Sequence, residues 1–231
     1  MTELTHSPRS GAAPGNWLAR WLSACADLED LFSHHHLLDA TIQEIDGRRI
    51  RVGERWLIDF ASCNYLGLDL DREIIEAIPA YLDRWGTHPS WSRMLGNPAL
   101  YPQIEARLTE LLGAPDALLL PTLTHIHASV IPVLASDGTI FVDSRAHKTI
   151  WDGCVAARAH GATVVRYAHD DPEALEWLLH RHPKPPRLVC MDGINSMTGN
   201  PPALPAFAAL AREHDALLYV DDAHGFGVVG E

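Results

Sequence analysis

Residues 71–231 predict an α/β protein whose mostly parallel sheet is covered by helices on both faces. Five short runs, 117–120, 139–142, 163–167, 188–191 and 216–220, are apolar without polar alternation, as strands buried on both faces are. Stretches of helix length, 125–134, 149–159, 172–180 and 204–214, lie between them, and parallel neighbours need such crossovers. The chain has 231 residues, 47% hydrophobic and 21% charged. It can therefore bury a sizeable core without disulfide staples, and that composition excludes collagen-like and disordered chains.

Several elements precede the alternation. Residues 1–15 are rich in Ser, Pro, Gly and Ala and predict a mobile leader. Trp17, Leu18, Trp21, Leu22, Leu28 and Leu31 then recur at helical spacing, which predicts an amphipathic helix. Residues 41–60 alternate apolar and polar side chains around Asp46-Gly47, a dipeptide suited to a hairpin turn, so two or three short strands are expected. Segments 72–85 and 100–112 predict helices, the second with Ile104, Leu108, Leu111 and Leu112 on one face. The expected organisation is a leader, helix and short strands over 1–55, followed by an α/β domain over 56–231.

Charge and cysteine usage narrow the function. A formal net charge of −12, with Lys148 and Lys184 as the only lysines, argues against nucleic acid as a partner. It does not argue against a small phosphorylated ligand, which backbone N–H groups can hold. Cys25, Cys63, Cys154 and Cys190 form no CxxC pair, so neither a zinc site nor a disulfide framework is signalled. No basic segment followed by an apolar one opens the chain, and no run of about 18 apolar residues occurs; a cytoplasmic protein with no membrane span is expected. The 14 histidines leave metal or proton chemistry open.

Ligands of such sheets bind beyond the carboxyl ends of the strands, so the residues after each run matter most. Pro121-Thr122-Leu123-Thr124 leads into a helix and serves either as a phosphate seat or as a plain N-cap. Asp143-Ser144-Arg145-Ala146-His147, His169-Asp170-Asp171 and Asp192-Gly193-Ile194-Asn195-Ser196 follow the next three runs. Asp221-Asp222-Ala223-His224-Gly225 is the sharpest group. A carboxylate leaving a buried strand, with an imidazole three residues on, suits a divalent metal, or a protonated ring nitrogen with the imidazole on a phenolate oxygen. The simpler alternative is a helix cap with an exposed histidine. Gly225-Phe226-Gly227-Val228-Val229-Gly230 fits GxGxxG, but Asp221 and Asp222 occupy the turn where a pyrophosphate needs positive potential.

Taken together and in order, six stretches resemble the pyridoxal-phosphate-dependent α-oxoamine synthases of the fold-type I aminotransferase superfamily. They are Asp59-Phe60-Ala61-Ser62-Cys63-Asn64-Tyr65-Leu66-Gly67-Leu68, Ile104-Glu105-Ala106-Arg107-Leu108, Ala146-His147-Lys148-Thr149-Ile150-Trp151-Asp152-Gly153, Tyr167-Ala168-His169-Asp170-Asp171, Asp192-Gly193-Ile194-Asn195-Ser196-Met197 and Val220-Asp221-Asp222-Ala223-His224-Gly225. The resemblance implies the three-layer αβα large domain of that fold, here its N-terminal portion. It makes Asp221 the carboxylate that keeps the pyridine nitrogen of pyridoxal 5'-phosphate (PLP) protonated, His224 the partner of the phenolate oxygen and His147 the ring-stacking group. It also puts Ser196 near that oxygen, Thr122, Leu123 and Thr124 in the phosphate turn, and Asn64 near the substrate. No metal is implied.

Departures accompany the match. Leu123 stands where the family's phosphate turn has Gly, His127 where it has Asn, Tyr101 where His is common and Asp192 where Glu is common. The residues Gly86-Thr87-His88-Pro89-Ser90-Trp91-Ser92-Arg93 replace a Gly/Ser-rich substrate loop with bulkier groups. The family's Schiff-base lysine lies a further strand and loop beyond the Asp-Asp-Ala-His element, which here falls after Glu231. Lys148 is expected to point into its own helix and Lys184 to lie on the surface. The resemblance thus implies the first part of a homodimeric transferase that condenses an amino acid with an acyl-CoA or similar thioester and releases carbon dioxide, inactive as this chain alone. A non-catalytic partner subunit or truncated paralogue, and a class I/II aminotransferase, stand as alternatives. A metal enzyme using His125, His127, His169, Asp221 and His224 is a third.

Overall fold

The computed structural model describes residues 17–35, 38–88 and 90–230; the leader expected over residues 1–15 lies outside them. The chain divides into two compact units, residues 1–62 and 63–231. In the first, helix α1 (Trp17–His34) is followed by an antiparallel meander of β1 (Ile42–Asp46), β2 (Arg49–Val52) and β3 (Arg55–Ile58). Asp46 pairs with Arg49 and Val52 with Arg55, so both hairpins close through two-residue loops, the first at the expected Asp46-Gly47 position.

The second unit begins with a short 3-10 turn (Leu68–Leu70) and α2 (Arg72–Trp85), whose N-terminus is held by Asp71 accepting from the Glu73 and Ile74 amides at 2.9 and 3.2 Å. Then come α3 (Leu100–Leu112), α4 (Leu123–Ala135), β4 (Thr139–Asp143), α5 (Lys148–Ala159), β5 (Thr163–Tyr167), α6 (Pro172–Arg181), β6 (Arg187–Asp192), α7 (Leu204–Glu213) and β7 (Leu217–Asp221). Four parallel strands form one sheet in the order β5-β4-β6-β7. Strand alternation splits their side chains between two cores. Ile140, Val142, Leu188 and Cys190 face α4 and α5 with Ile131, Ile150 and Cys154; Phe141, Val189 and Met191 face α6 and α7 with Leu175, Leu179 and Phe207. The expected three-layer arrangement is present.

The expected strand over 117–120 is absent. Leu118 is 64% exposed, and side chains rather than a neighbouring strand occupy the Leu119 backbone: its N–H donates to Glu105 Oε1 at 2.7 Å and its carbonyl accepts from Arg93 Nη1 at 2.7 Å. An apolar run becomes a strand only beside a partner that can complete its hydrogen bonds, and among the described residues none lies there.

Close packing of α4 on α5 depends on Gly153. A Cβ there would meet the His127 carbonyl oxygen at 2.5 Å and the Ile131 Cδ1 at 2.9 Å, so only glycine lets α5 lie this near to His127. No helix among the described residues is long and apolar enough to cross a membrane.

Candidate functional site

Register brings the strand-end acids to one edge of the sheet. Asp143 pairs with Tyr167 and Asp192 with Asp221, so Asp143, Asp192 and Asp221 end their strands side by side, all three buried. Above that edge a cavity is lined by Leu123, Thr124, His147, Thr149, Asp192, Ser196, Asp221, Ala223 and His224. The candidate residues Leu123, Thr124, His147, Ser196, Asp221 and His224 therefore converge, from the start of α4, the start of α5, the loop after β6 and the turn after β7.

Two candidates stand apart from that lining. Thr122 is the N-cap of α4, its hydroxyl accepting from the His125 amide at 3.2 Å, which is the plain capping alternative. Asn64 donates through Nδ2 to the Asp69 carboxylate. Its neighbour Tyr65 is the residue that reaches the cavity: its hydroxyl lies 2.5 Å from His224 Nδ1. A hydrogen bond to Cys63 and, secondarily, burial raise the Tyr65 phenol above its ordinary range. It thus stays protonated and donates to Nδ1, which makes Nε2 the ring nitrogen that can donate elsewhere.

Each strand-end acid anchors a loop. Asp192 accepts from the His147 amide at 3.2 Å and from Asn195 Nδ2 at 3.1 Å. Asn195 Oδ1 in turn accepts from the amides of Met197 and Thr198, both at 3.1 Å, which shapes the bend carrying Ser196. Burial, assisted by the Asp221 charge, pushes the Asp192 carboxyl up. Asp143 takes the Arg145 amide at 2.7 Å and His169 Nδ1 at 3.0 Å. His147 caps α5, with Nδ1 2.7 Å from the Thr149 hydroxyl. Asp222 packs so tightly against Gly193 and Gly225 that a Cβ at either would lie 2.3 or 2.2 Å from its Oδ1. Those two glycines hold the β6 and β7 loops together, and neither opens a dinucleotide-binding helix: residues 223–229 form turns.

Asp221 has the most constrained environment. Its Oδ1 accepts from the Ala223 amide at 3.0 Å and its Oδ2 from His127 Nε2 at 3.0 Å. His127 is 1% exposed, and its Nδ1 is 2.8 Å from the Tyr219 hydroxyl. Burial, followed by neighbouring ionisable groups including Asp221, raises the Tyr219 phenol, so it donates to Nδ1 and His127 Nε2–H donates to the carboxylate. Burial alone would oppose ionisation of Asp221. The hydrogen bonds from His127 and Ala223 and the nearby imidazoles outweigh it and hold the carboxyl below its ordinary range.

Sequence reasoning noted His127 only as a replacement for Asn and as a possible metal ligand. The missed signal was the pair Tyr219 and Asp221, two apart on one strand and so on one face, opposite a histidine one turn into α4. The metal set is dispersed: His125 Nδ1 lies 3.0 Å from the Thr122 hydroxyl, His169 pairs with Asp143 and His224 with Tyr65, and only His127 bonds Asp221. Lys148 pairs with Asp152 at 2.7 Å and Lys184 with Asp137 at 2.9 Å, neither at the cavity.

Known proteins carry the same framework. A family model described as aminotransferase class I and II matches residues 55–231, and the chain belongs to that family, whose members are PLP-dependent transferases. The 8-amino-7-oxononanoate synthase of Chromobacterium violaceum is 37% identical over 207 residues, covering 88% of this chain and 53% of its own. Serine palmitoyltransferase of Sphingomonas wittichii superposes with a TM-score of 0.85 at 27% identity, covering 94% of this chain and 55% of that one. The S. paucimobilis serine palmitoyltransferase, solved with PLP and myriocin, gives a TM-score of 0.82 at 26% identity over 90% of this chain and 53% of that one. These relatives are α-oxoamine synthases, in agreement with the resemblance read from the motifs. The chain spans about half the length of the curated relatives it matches.

Proposed function

We propose that this chain supplies the cofactor seat of a PLP-dependent acyltransferase, homodimeric and cytoplasmic, that condenses an amino acid with an acyl-CoA thioester. Carbon dioxide leaves the amino acid, its α-carbon bonds to the acyl carbonyl carbon, and the thioester sulfur departs as CoA thiol. The observation that carries the reading is Asp221: a buried carboxylate held ionised at a strand end, with the His127 imidazole hydrogen-bonded behind it and two more imidazoles at its cavity.

The donor set fits the group. Asp221 has no lysine or arginine ion pair among the described residues, so a cationic ring N–H is the partner its charge lacks. The first amides of α4, at Leu123 and Thr124, have no intrahelical acceptors and suit a phosphate, although Leu123 replaces the family's glycine. PLP bound there supplies an electron sink for the carbanion formed at the amino acid's α-carbon. Asp221 would hold the proton on the pyridine nitrogen, and His127 and Ala223 keep that carboxylate ionised. His224, oriented by Tyr65, would donate from Nε2 to the cofactor's phenolate oxygen, and the Ser196 hydroxyl would assist it. His147, pinned by Asp192 and Thr149, would stack on the ring and shield that side from water. Asn64, bonded to Asp69 rather than lining the cavity, would serve the substrate only indirectly, by holding the segment that carries Tyr65.

Lys148 and Lys184 are both engaged in surface ion pairs. The reading therefore assigns the amine that anchors the cofactor to the part of the relatives' length outside this chain. Free thiols at Cys63, Cys154 and Cys190 accord with a reducing compartment. The test supplies the full-length protein with PLP, a panel of amino acids and acyl-CoA donors, and follows free CoA thiol and carbon dioxide together. Stoichiometric release of both, abolished in Asp221→Ala, supports the condensation. Amino-group transfer to a keto acid with no thiol released would overturn it in favour of an aminotransferase.

A further inference from the structure

Glu176 and His180 lie one helical turn apart on α6, a spacing that sets two side chains on one face, and His214 caps the C-terminus of α7, which packs beside α6. One ligand atom from each of the three falls within 4.8 Å of the others. The His180 and His214 rings meet edge to face, centroids 4.7 Å apart and planes at 86°. His214 Nε2 is buried and has no hydrogen-bond partner, a costly condition for a polar nitrogen that a bound ion or water would relieve.

We propose that Glu176, His180 and His214 bind a divalent transition-metal ion, zinc foremost. Two imidazoles and one carboxylate are the ligands of a borderline-soft ion; magnesium and calcium take oxygen shells. Zinc bonds of about 2.0–2.1 Å set tetrahedral ligand separations of roughly 3.4 Å, so ligand atoms within 4.8 Å of one another need to close by at most about 1.4 Å, a movement that small χ rotations supply. Water takes the fourth position. His214 precedes β7 (Leu217–Asp221) and Asp221 ends it, so the two sites sit at opposite ends of that strand, which is about 13 Å long at about 3.3 Å per residue. The metal ties α6 to the turn between α7 and β7 and leaves the cofactor site untouched.

The test uses the full-length protein with PLP bound, freed of metal by chelator, titrated with Zn(II) by calorimetry and with Co(II) by its ligand-field absorption at pH 7.5. One equivalent should bind more tightly than any other, give a tetrahedral Co(II) spectrum and raise the melting temperature. His180→Ala and Glu176→Gln, both at a helix surface, should each weaken that equivalent at least roughly tenfold and remove the thermal response. Binding should weaken as pH falls, because the metal and the proton compete for the same ring nitrogens. Equal zinc affinity in wild type and both variants, or a wild type without the tight equivalent, would overturn the proposal and assign any binding to scattered surface histidines.

Discussion

Replacing His127 with leucine removes the donor to Asp221 and the acceptor for Tyr219 in one step, while keeping comparable bulk between α4 and the sheet. Asp221 is 8% exposed, so water replaces the lost donor poorly. Deleting a hydrogen bond to a buried charged group costs about 1.5–3 kcal/mol, and stranding the Tyr219 hydroxyl adds about 1 kcal/mol, for a loss of about 2.5–4 kcal/mol. The pH dependence follows the same logic. A carboxyl whose folded pKa is depressed contributes stability that is present above its unfolded value of about 3.9 and is lost as pH falls through the folded value. Without His127 the opposing effect of burial on Asp221 gains ground, so that contribution shrinks and the acid-unfolding midpoint moves to higher pH. The assay is urea unfolding of the cofactor-free full-length protein at pH 7 and across the acid range. His127→Gln, whose amide nitrogen reaches about as far as imidazole Nε2, should lose less than half as much. If both variants unfold within about 0.5 kcal/mol of wild type, the ordinary scatter of neutral substitutions, Asp221 does not depend on His127 and the reasoning fails.

Two more changes probe the supports of the site. Gly153→Ala puts a Cβ 2.5 Å from the His127 carbonyl and should destabilise by about 1–3 kcal/mol through overpacking, seen as a lower melting temperature together with weaker PLP binding; an unchanged melt would show that the helices part freely. Glu105→Gln exchanges the carboxylate that takes the Leu119 amide and pairs with Arg93 at 2.9 Å for a neutral amide. Hydrogen exchange at Leu119 should accelerate roughly tenfold with the sheet amides unaffected, and an unaltered rate would mean that something else protects that segment.

The strands and crossovers were legible because burial on both faces leaves an unmistakable apolar run, and β4 to β7 lie where those runs are, with ends shifted by a residue or two. The run at 117–120 carries the same composition, yet strand formation also needs a neighbour, which one-dimensional patterning does not report; Glu105 and Arg93 take its backbone groups instead. Much of the cavity was legible for a topological reason: parallel strands end on one edge, so Asp192 and Asp221 had to meet there, with His147, Ser196 and His224 just beyond. The contact of His127 with Asp221 was not, because 94 residues separate the two and helix-on-sheet rotation decides which face of α4 looks inward. Asn64 and Tyr65 show the same limit at short range: adjacent residues in irregular chain diverge, and the backbone path turns the tyrosine toward His224.

The protonation state of the PLP pyridine nitrogen, read from the 15N chemical shift of ring-labelled cofactor in the full-length protein, tests most directly whether this cavity is a PLP seat governed by Asp221. A protonated nitrogen at pH 7–8 in wild type, moving to the unprotonated range in Asp221→Ala and partway in His127→Leu, is the result expected. An unprotonated nitrogen in wild type, or a shift indifferent to Asp221, would contradict the account.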